Sequence, residues 1–188
     1  MITELKHYIF HQKNYIDNDF CNKIIEELED INFEKHNFYH PTTGDYIIRS
    51  GDQELSHSWE DTPSKNKLTK KLWNPINNYR KFLNMPWFDT WRGYTSVRFN
   101  KYELNKKMAL HCDHIHDMFD GERKGVPILS VLGVLNNDFE GGEFIMFDDH
   151  EIKFDKGDVV IFPSNFLYPH KVEPVTKGTR YSYISWVW

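Results

Sequence analysis

From residue 93 onward the chain reads almost entirely as short strands, and that run decides what it can fold into. YTSVRFNKY (94–102) alternates, with Val97 and Phe99 on one face. ILSVLGVL (128–135) is apolar throughout, as a strand covered on both sides would be. FIMF (144–147), EIKF (151–154), VVIF (159–162) and YSYISWVW (181–188) come next, separated by Gly, Asp and Pro turns.

Upstream the period is helical. In DNDFCNKIIEELED (17–30), Asp17 is placed to cap a helix whose stripe is Phe20, Ile24, Ile25 and Leu28. Thr62-Pro63 opens a second helix, in which Leu68, Leu72, Ile76, Tyr79 and Leu83 keep the spacing and Pro75 predicts a kink. Helices first, then seven or eight strands, predict an α+β fold. Its core would be a double-stranded β-helix of the jelly-roll, cupin-like kind, with N-terminal flanking helices. The 188 residues hold no repeat, no low-complexity stretch and no linker, so one domain is expected over 1–188. Residues 1–92 would supply helical support and a lid, and 93–188 the β-helix core. The polar, turn-rich stretches 44–62 and 114–126 are the segments expected to move most without substrate.

Composition removes several classes of function. A net charge of −5 and a pI near 6.0 argue against nucleic acid as a partner. The lysines of KNKLTKKLW (65–73) suit the wet side of a helix. No apolar run reaches the ~20 residues of a membrane span, and the N-terminus lacks a signal-peptide pattern. Two cysteines cannot build a disulfide framework. A cytoplasmic, reducing setting is expected. The bias to 17 Lys and 15 Asn against 6 Arg fits an AT-rich genome, viral or bacterial. Nothing in the sequence sets an oligomeric state.

Chemistry concentrates at two places. His111-Cys112-Asp113 ends a strand-like run; if it is extended, His111 and Asp113 point the same way and Cys112 points away. Ten His and fifteen Asp make about one His-x-Asp a chance event, so the pair gains meaning only from the residues downstream of it. His170 comes 57 residues after Asp113, just past IFPS. Two imidazoles and one carboxylate bind one face of a metal ion and leave the other open, the arrangement of non-haem Fe(II) oxygenases. In the final strand Arg180, Ser182, Ile184 and Trp186 share one face, while Tyr181, Tyr183 and Val187 share the other. A buried Arg without an anion is costly, and its planar fork fits a carboxylate. The distal carboxylate of 2-oxoglutarate would fill that role, with the Ser182 hydroxyl as a second donor.

With these residues the chain resembles the prolyl 4-hydroxylase-like branch of the 2-oxoglutarate/Fe(II) dioxygenases, over 94–188 and more faintly over 44–93. The resemblance rests on Tyr102 nine residues before His111, on EGGEF (140–144), on KGDVVIFPS (156–164) and on HKVEPVTKGTR (170–180). It implies Fe(II) held by His111, Asp113 and His170, and 2-oxoglutarate anchored by Arg180 with Tyr102 in the same pocket. It also implies substrate contacts at Trp186 and at Arg49, within a segment (IIRSGDQEL, 47–55) similar to the family's mobile loop. The implied reaction hydroxylates a peptidyl, prolyl or small amino-acid-like substrate. It uses O2 and releases succinate and CO2, with ascorbate as a candidate further cofactor.

Leu104-Asn105 stands where many members have Pro-Gly, Met108 where many have a second tyrosine, and Arg180 where collagen-type enzymes have Lys. These departures leave the metal chemistry intact and the prolyl substrate open. Trp186 stands where nucleic-acid demethylases of the superfamily carry a second arginine. Two competing readings remain. HCDHIH partly resembles the H-x-H-x-D-H pattern of dinuclear zinc hydrolases, but Ala109 occupies its leading position. A non-catalytic jelly-roll binding module would be marked by a lost ligand or a lost Arg.

Overall fold

The computed structural model describes residues 4–40, 45–47, 53–85, 93–113 and 127–188. The final strand, Arg180–Val187, lies at the centre of a seven-stranded sheet. Its order is Phe10–Gln12, Val159–Pro163, Leu129–Val134, Arg180–Val187, Arg98–Tyr102, Ser56–Ser58 and Glu34–Lys35. A four-stranded sheet runs His150–Glu151, Phe144–Met146, His170–Val172, Met108–His111. The ladders of both sheets are antiparallel.

Alternation along the final strand builds the layers. Ile184 and Trp186 face inward with Leu132, Val160 and Phe162, against Met108, Phe144, Met146 and Val172 of the smaller sheet. This cluster joins the two sheets into a jelly roll. Tyr183 and Val187 face the other way, with Phe99, Val131, Val159 and Ile161. That outer face packs against helices α1 (Asn18–Leu28), α2 (Lys65–Lys71) and α3 (Trp73–Leu83) through Phe20, Ile24, Leu68, Leu72, Ile76 and Tyr79. Among the described residues no helix is long and apolar enough to cross a membrane.

The local chemistry explains most element ends. Asp17 caps α1 by accepting from the Phe20 N–H at 2.8 Å. Glu27 of α1 reaches across to Ser64, accepting from its N–H at 2.8 Å and its hydroxyl at 2.7 Å, and so holds the start of α2. The expected kink at Pro75 is instead a break at Leu72. The Leu72 N–H bonds back to the Thr69 carbonyl, a tightened last turn, and α3 begins at Trp73. Pro75 then falls in the first turn of α3, where a missing N–H is harmless. The strand read at 151–154 is shorter, ending at Glu151. Asp158 of the KGD turn accepts from the backbone of Asn14 and Asp155 and from His11, tying the first strand to the core.

Gly133 shows how tightly the outer layer is fitted. Its register partner Tyr183 lays its ring where a Cβ would project. Gly133→Ala should therefore destabilise the protein by about 1–3 kcal/mol through overpacking. The denaturant midpoint should fall with an unchanged slope; an unshifted midpoint would mean that the ring moves aside freely.

Candidate metal centre

Antiparallel pairing of Met108–His111 with His170–Val172 sets His111 directly opposite His170. Their ring centroids lie 4.3 Å apart. Asp113 stands just beyond the first strand. Its Oδ1 is 3.4 Å from His111 Nε2 and 3.5 Å from His170 Nε2. One ligand atom from each residue fits within 4.8 Å of the others. The strand itself ends at His111, and Asp113 lies in a bend two residues on with its carboxylate turned toward the imidazoles.

Each of the three residues has its other polar atom occupied. His111 Nδ1 bonds the Ala109 carbonyl at 2.8 Å, and His170 Nδ1 bonds the Tyr168 carbonyl at 3.0 Å. A carbonyl only accepts, so Nδ1 carries the proton in both rings and Nε2 presents its lone pair inward. The Ser130 hydroxyl donates to Asp113 Oδ2 and is itself paired with the Ser164 hydroxyl at 2.7 Å. Oδ1 is left to face the imidazoles. Burial lowers the pKa of His111, and the neighbouring His170 adds to that. Burial alone would raise Asp113, but the two imidazoles hold its carboxyl well below the usual range. Both shifts favour the protonation states a metal requires, neutral imidazole and ionised carboxylate. The rings of Phe162 and Phe144 approach His170 at 5.1 and 5.4 Å, making an apolar wall. Two imidazole nitrogens and one carboxylate oxygen fit a divalent first-row ion with positions left open.

Ser130 is the supporting residue that the sequence hid, since it reads as a polar interruption in an apolar strand. Groups that orient metal ligands typically contribute 10- to 100-fold in affinity. Ser130→Ala should weaken Fe(II) binding by about that factor, measured by anaerobic titration. Unchanged affinity would mean that the bend alone orients Asp113.

On the inner face of the larger sheet Arg180 is 2% exposed and donates from Nη1 to Ser182 Oγ at 3.1 Å. Its guanidinium lies 5.0 Å from the ring centre of Tyr102, its register partner, and 5.8 and 5.9 Å from those of Phe154 and Phe139. Burial lowers its pKa, while Tyr102 acts in the opposite direction. Among the described residues no carboxylate lies within ion-pair distance of Arg180. The glycines of EGGEF make room for it: Gly142 has φ +68°, and a Cβ there would sit 3.0 Å from Arg180 Cδ.

The space between the two sheets thus brings together the triad with Tyr102, Arg180, Ser182 and Trp186. Arg49, His114, His116 and most of the segments read as mobile lie outside the described residues. Cys112 is half-buried, with its thiol toward the Phe166 carbonyl at 3.6 Å.

Residues 97–188 match the family described as the 2OG-Fe(II) oxygenase superfamily. A PKHD-type hydroxylase of Aliarcobacter butzleri is 36% identical over 136 residues, which cover 68% of this chain and 57% of that protein. A PKHD-type hydroxylase of Idiomarina loihiensis is 34% identical over 94 residues, covering 48% and 41%. The chain spans about half the length of these relatives. A prolyl-4-hydroxylase of Pseudomonas putida superposes with a TM-score of 0.66 at 20% identity, over 96% of this chain and 92% of that one. A Trichoplax adhaerens prolyl hydroxylase, solved with a hypoxia-inducible-factor peptide fragment, gives 0.70 at 16% identity over 97% and 84%. At such identities the structural likeness establishes the fold.

Proposed function

We propose, from the premise that this chain belongs through residues 97–188 to the 2OG-Fe(II) oxygenase superfamily in its prolyl 4-hydroxylase-like branch, that it is a dioxygenase. It hydroxylates a peptidyl, including prolyl, or amino-acid-like substrate and turns 2-oxoglutarate and O2 into succinate and CO2. The observation that carries this reading is the convergence of two features on the space between the two sheets. One is the His111, Asp113, His170 triad; the other is the buried Arg180 with no carboxylate in reach among the described residues.

In this reading the triad holds Fe(II), which supplies oxygen activation coupled to decarboxylation of 2-oxoglutarate. The protein's own part is positional. The Ala109 and Tyr168 carbonyls fix the imidazoles and Ser130 fixes the carboxylate. Phe144 and Phe162 keep water from the His170 side. Arg180 takes the distal carboxylate of 2-oxoglutarate, with Tyr102 and Ser182 completing that end. Trp186 stands on the substrate side, where the sequence also assigns Arg49. Ascorbate is the candidate reductant that keeps the iron ferrous. The chain acts as one domain, with 1–92 as support and lid and 93–188 as the β core. Neither a zinc hydrolase nor a non-catalytic module is favoured, since every ligand and the Arg of the pattern are present.

Succinate release tests this, using the full chain with Fe(II) and 2-oxoglutarate against prolyl peptides, other peptides and free amino acids. Succinate should form in step with a product that has gained one oxygen atom. An iron-loaded protein that binds 2-oxoglutarate yet never turns it over, with or without these substrates, would contradict the reading.

A further inference from the structure

We propose that Glu54 is a positioning residue for the metal centre, its buried carboxylate holding the bulged strand end that carries His111. This rests on the reading of His111, Asp113 and His170 as metal ligands and adds a residue that acts on them through Ala109.

A buried carboxylate needs a reason, because taking its charge out of water is costly. Among the described residues three carboxylates are buried, Asp158, Asp113 and Glu54, at 2, 4 and 6% exposure. Asp158 ties the first strand to the core, and Asp113 belongs to the triad. Glu54 has neither duty. Its Oε2 accepts from the Ala109 N–H at 2.9 Å. Ala109 is also the residue whose carbonyl accepts from His111 Nδ1. One residue therefore joins the carboxylate to the imidazole, held by Glu54 at its N–H and holding the ring with its carbonyl.

The backbone pairing shows why a side chain is used here. Met108–His111 stands at the end of its four-stranded sheet, next to His170–Val172. The register runs from Met108 opposite Val172 to His111 opposite His170, three steps along one strand against two along the other. The extra residue is a bulge at Ala109 or Leu110, so the ladder is broken just before His111. On the other side, residues 53–55 run parallel to the chain entering this strand. The Lys107 N–H donates to the Gln53 carbonyl at 2.8 Å, and the Leu55 N–H to the Lys107 carbonyl at 2.9 Å. The next bond of such a ladder would run from the Ala109 N–H to the Leu55 carbonyl. That carbonyl is taken by the His36 N–H at 3.1 Å. The Glu54 side chain supplies the missing acceptor, and the neighbouring Leu55, 1% exposed, anchors the segment in the core between the sheets.

The orientation of His111 hangs on this bond. The Ala109 carbonyl fixes the proton on Nδ1 and so aims Nε2 at the space shared with Asp113 and His170. His170 is served in a comparable way. Its carbonyl partner, Tyr168, is anchored by its own hydroxyl, which donates to the Leu5 carbonyl at 3.2 Å. Each imidazole thus has a tether behind the carbonyl that fixes it. Without the Glu54 carboxylate, the Ala109 N–H would lose its acceptor beside a bulge. The backbone there could then turn and carry the Ala109 carbonyl off the ring.

Co(II) in place of iron is the probe, on the full chain: calorimetry gives its affinity, and its visible absorption bands report the coordination geometry. Glu54→Ala should weaken Co(II) binding by about tenfold and shift the bands at saturation. Glu54→Gln keeps an oxygen within reach of the Ala109 N–H, so it should recover most of the affinity and the wild-type bands. Glu54→Asp keeps the charge but is one methylene shorter, so it should resemble the alanine variant. Heat unfolding of the metal-free proteins shows which variants fold; if the alanine variant does not, the Gln and Asp variants carry the comparison. Wild-type binding and bands in the alanine or Asp variant, or a Gln variant as impaired as they are, would overturn the inference. So would loss of the fold in both the alanine and Asp variants, which would make Glu54 a structural residue only. If the wild-type chain binds no Co(II), the metal-centre reading itself falls; if it binds and the variants match it, only this inference falls.

Discussion

Replacing Arg180 by alanine should raise the apparent Kd for 2-oxoglutarate by about 30- to 5,000-fold. The range comes from about 2–5 kcal/mol for removing one partner of a buried, hydrogen-bonded charge pair. The geometry supports that scale. Arg180 is buried among Tyr102, Phe139 and Phe154, where a carboxylate would be poorly served by water, and Ser182 holds one arm of the fork. Arg180→Lys should be milder, because it keeps the charge and loses the bidentate geometry. Iron affinity should survive both changes, since Arg180 is not one of the three residues that could together hold the ion. Titration of 2-oxoglutarate into the metal-loaded variants measures this. Wild-type affinity in the alanine variant would mean that the anion is held elsewhere.

Asp113→Ala should act on the metal itself. Neighbours that only orient a ligand typically contribute 10- to 100-fold, so removing the ligand itself should weaken Fe(II) binding by more than about 100-fold. Succinate formation should fall to the background of iron in solution. The substitution also leaves the Ser130 hydroxyl without its carboxylate, although Ser164 remains in reach, so the fold should persist. Measuring thermal stability beside activity separates lost metal from lost structure. An Asp113→Ala protein that keeps iron and turnover would show that the carboxylate is not a ligand.

The final strand was legible because each face carries its own residue types. Tyr183 and Val187 go to the helices, while Arg180, Ser182, Ile184 and Trp186 go to the site. His111 and His170 were legible for a related reason, being strand residues whose register sets them opposite one another. Asp113 was less legible than the two imidazoles, because it lies beyond the end of its strand. Two residues past a strand end the ladder no longer sets direction, and the hydrogen bond from Ser130 holds the carboxylate. The break at Leu72 was hidden because Leu68, Leu72 and Ile76 keep helical spacing across it.

The account turns on a single iron held by three side chains that then recruits 2-oxoglutarate. Anaerobic titration of Fe(II), and then of 2-oxoglutarate, into the wild-type chain and into the His111→Ala, Asp113→Ala and His170→Ala variants tests it most directly. The account predicts one iron per wild-type chain, 2-oxoglutarate binding that tightens once iron is present, and loss of both in each variant. Two metals per chain, iron retained by any of the three variants, or 2-oxoglutarate binding indifferent to iron would contradict it.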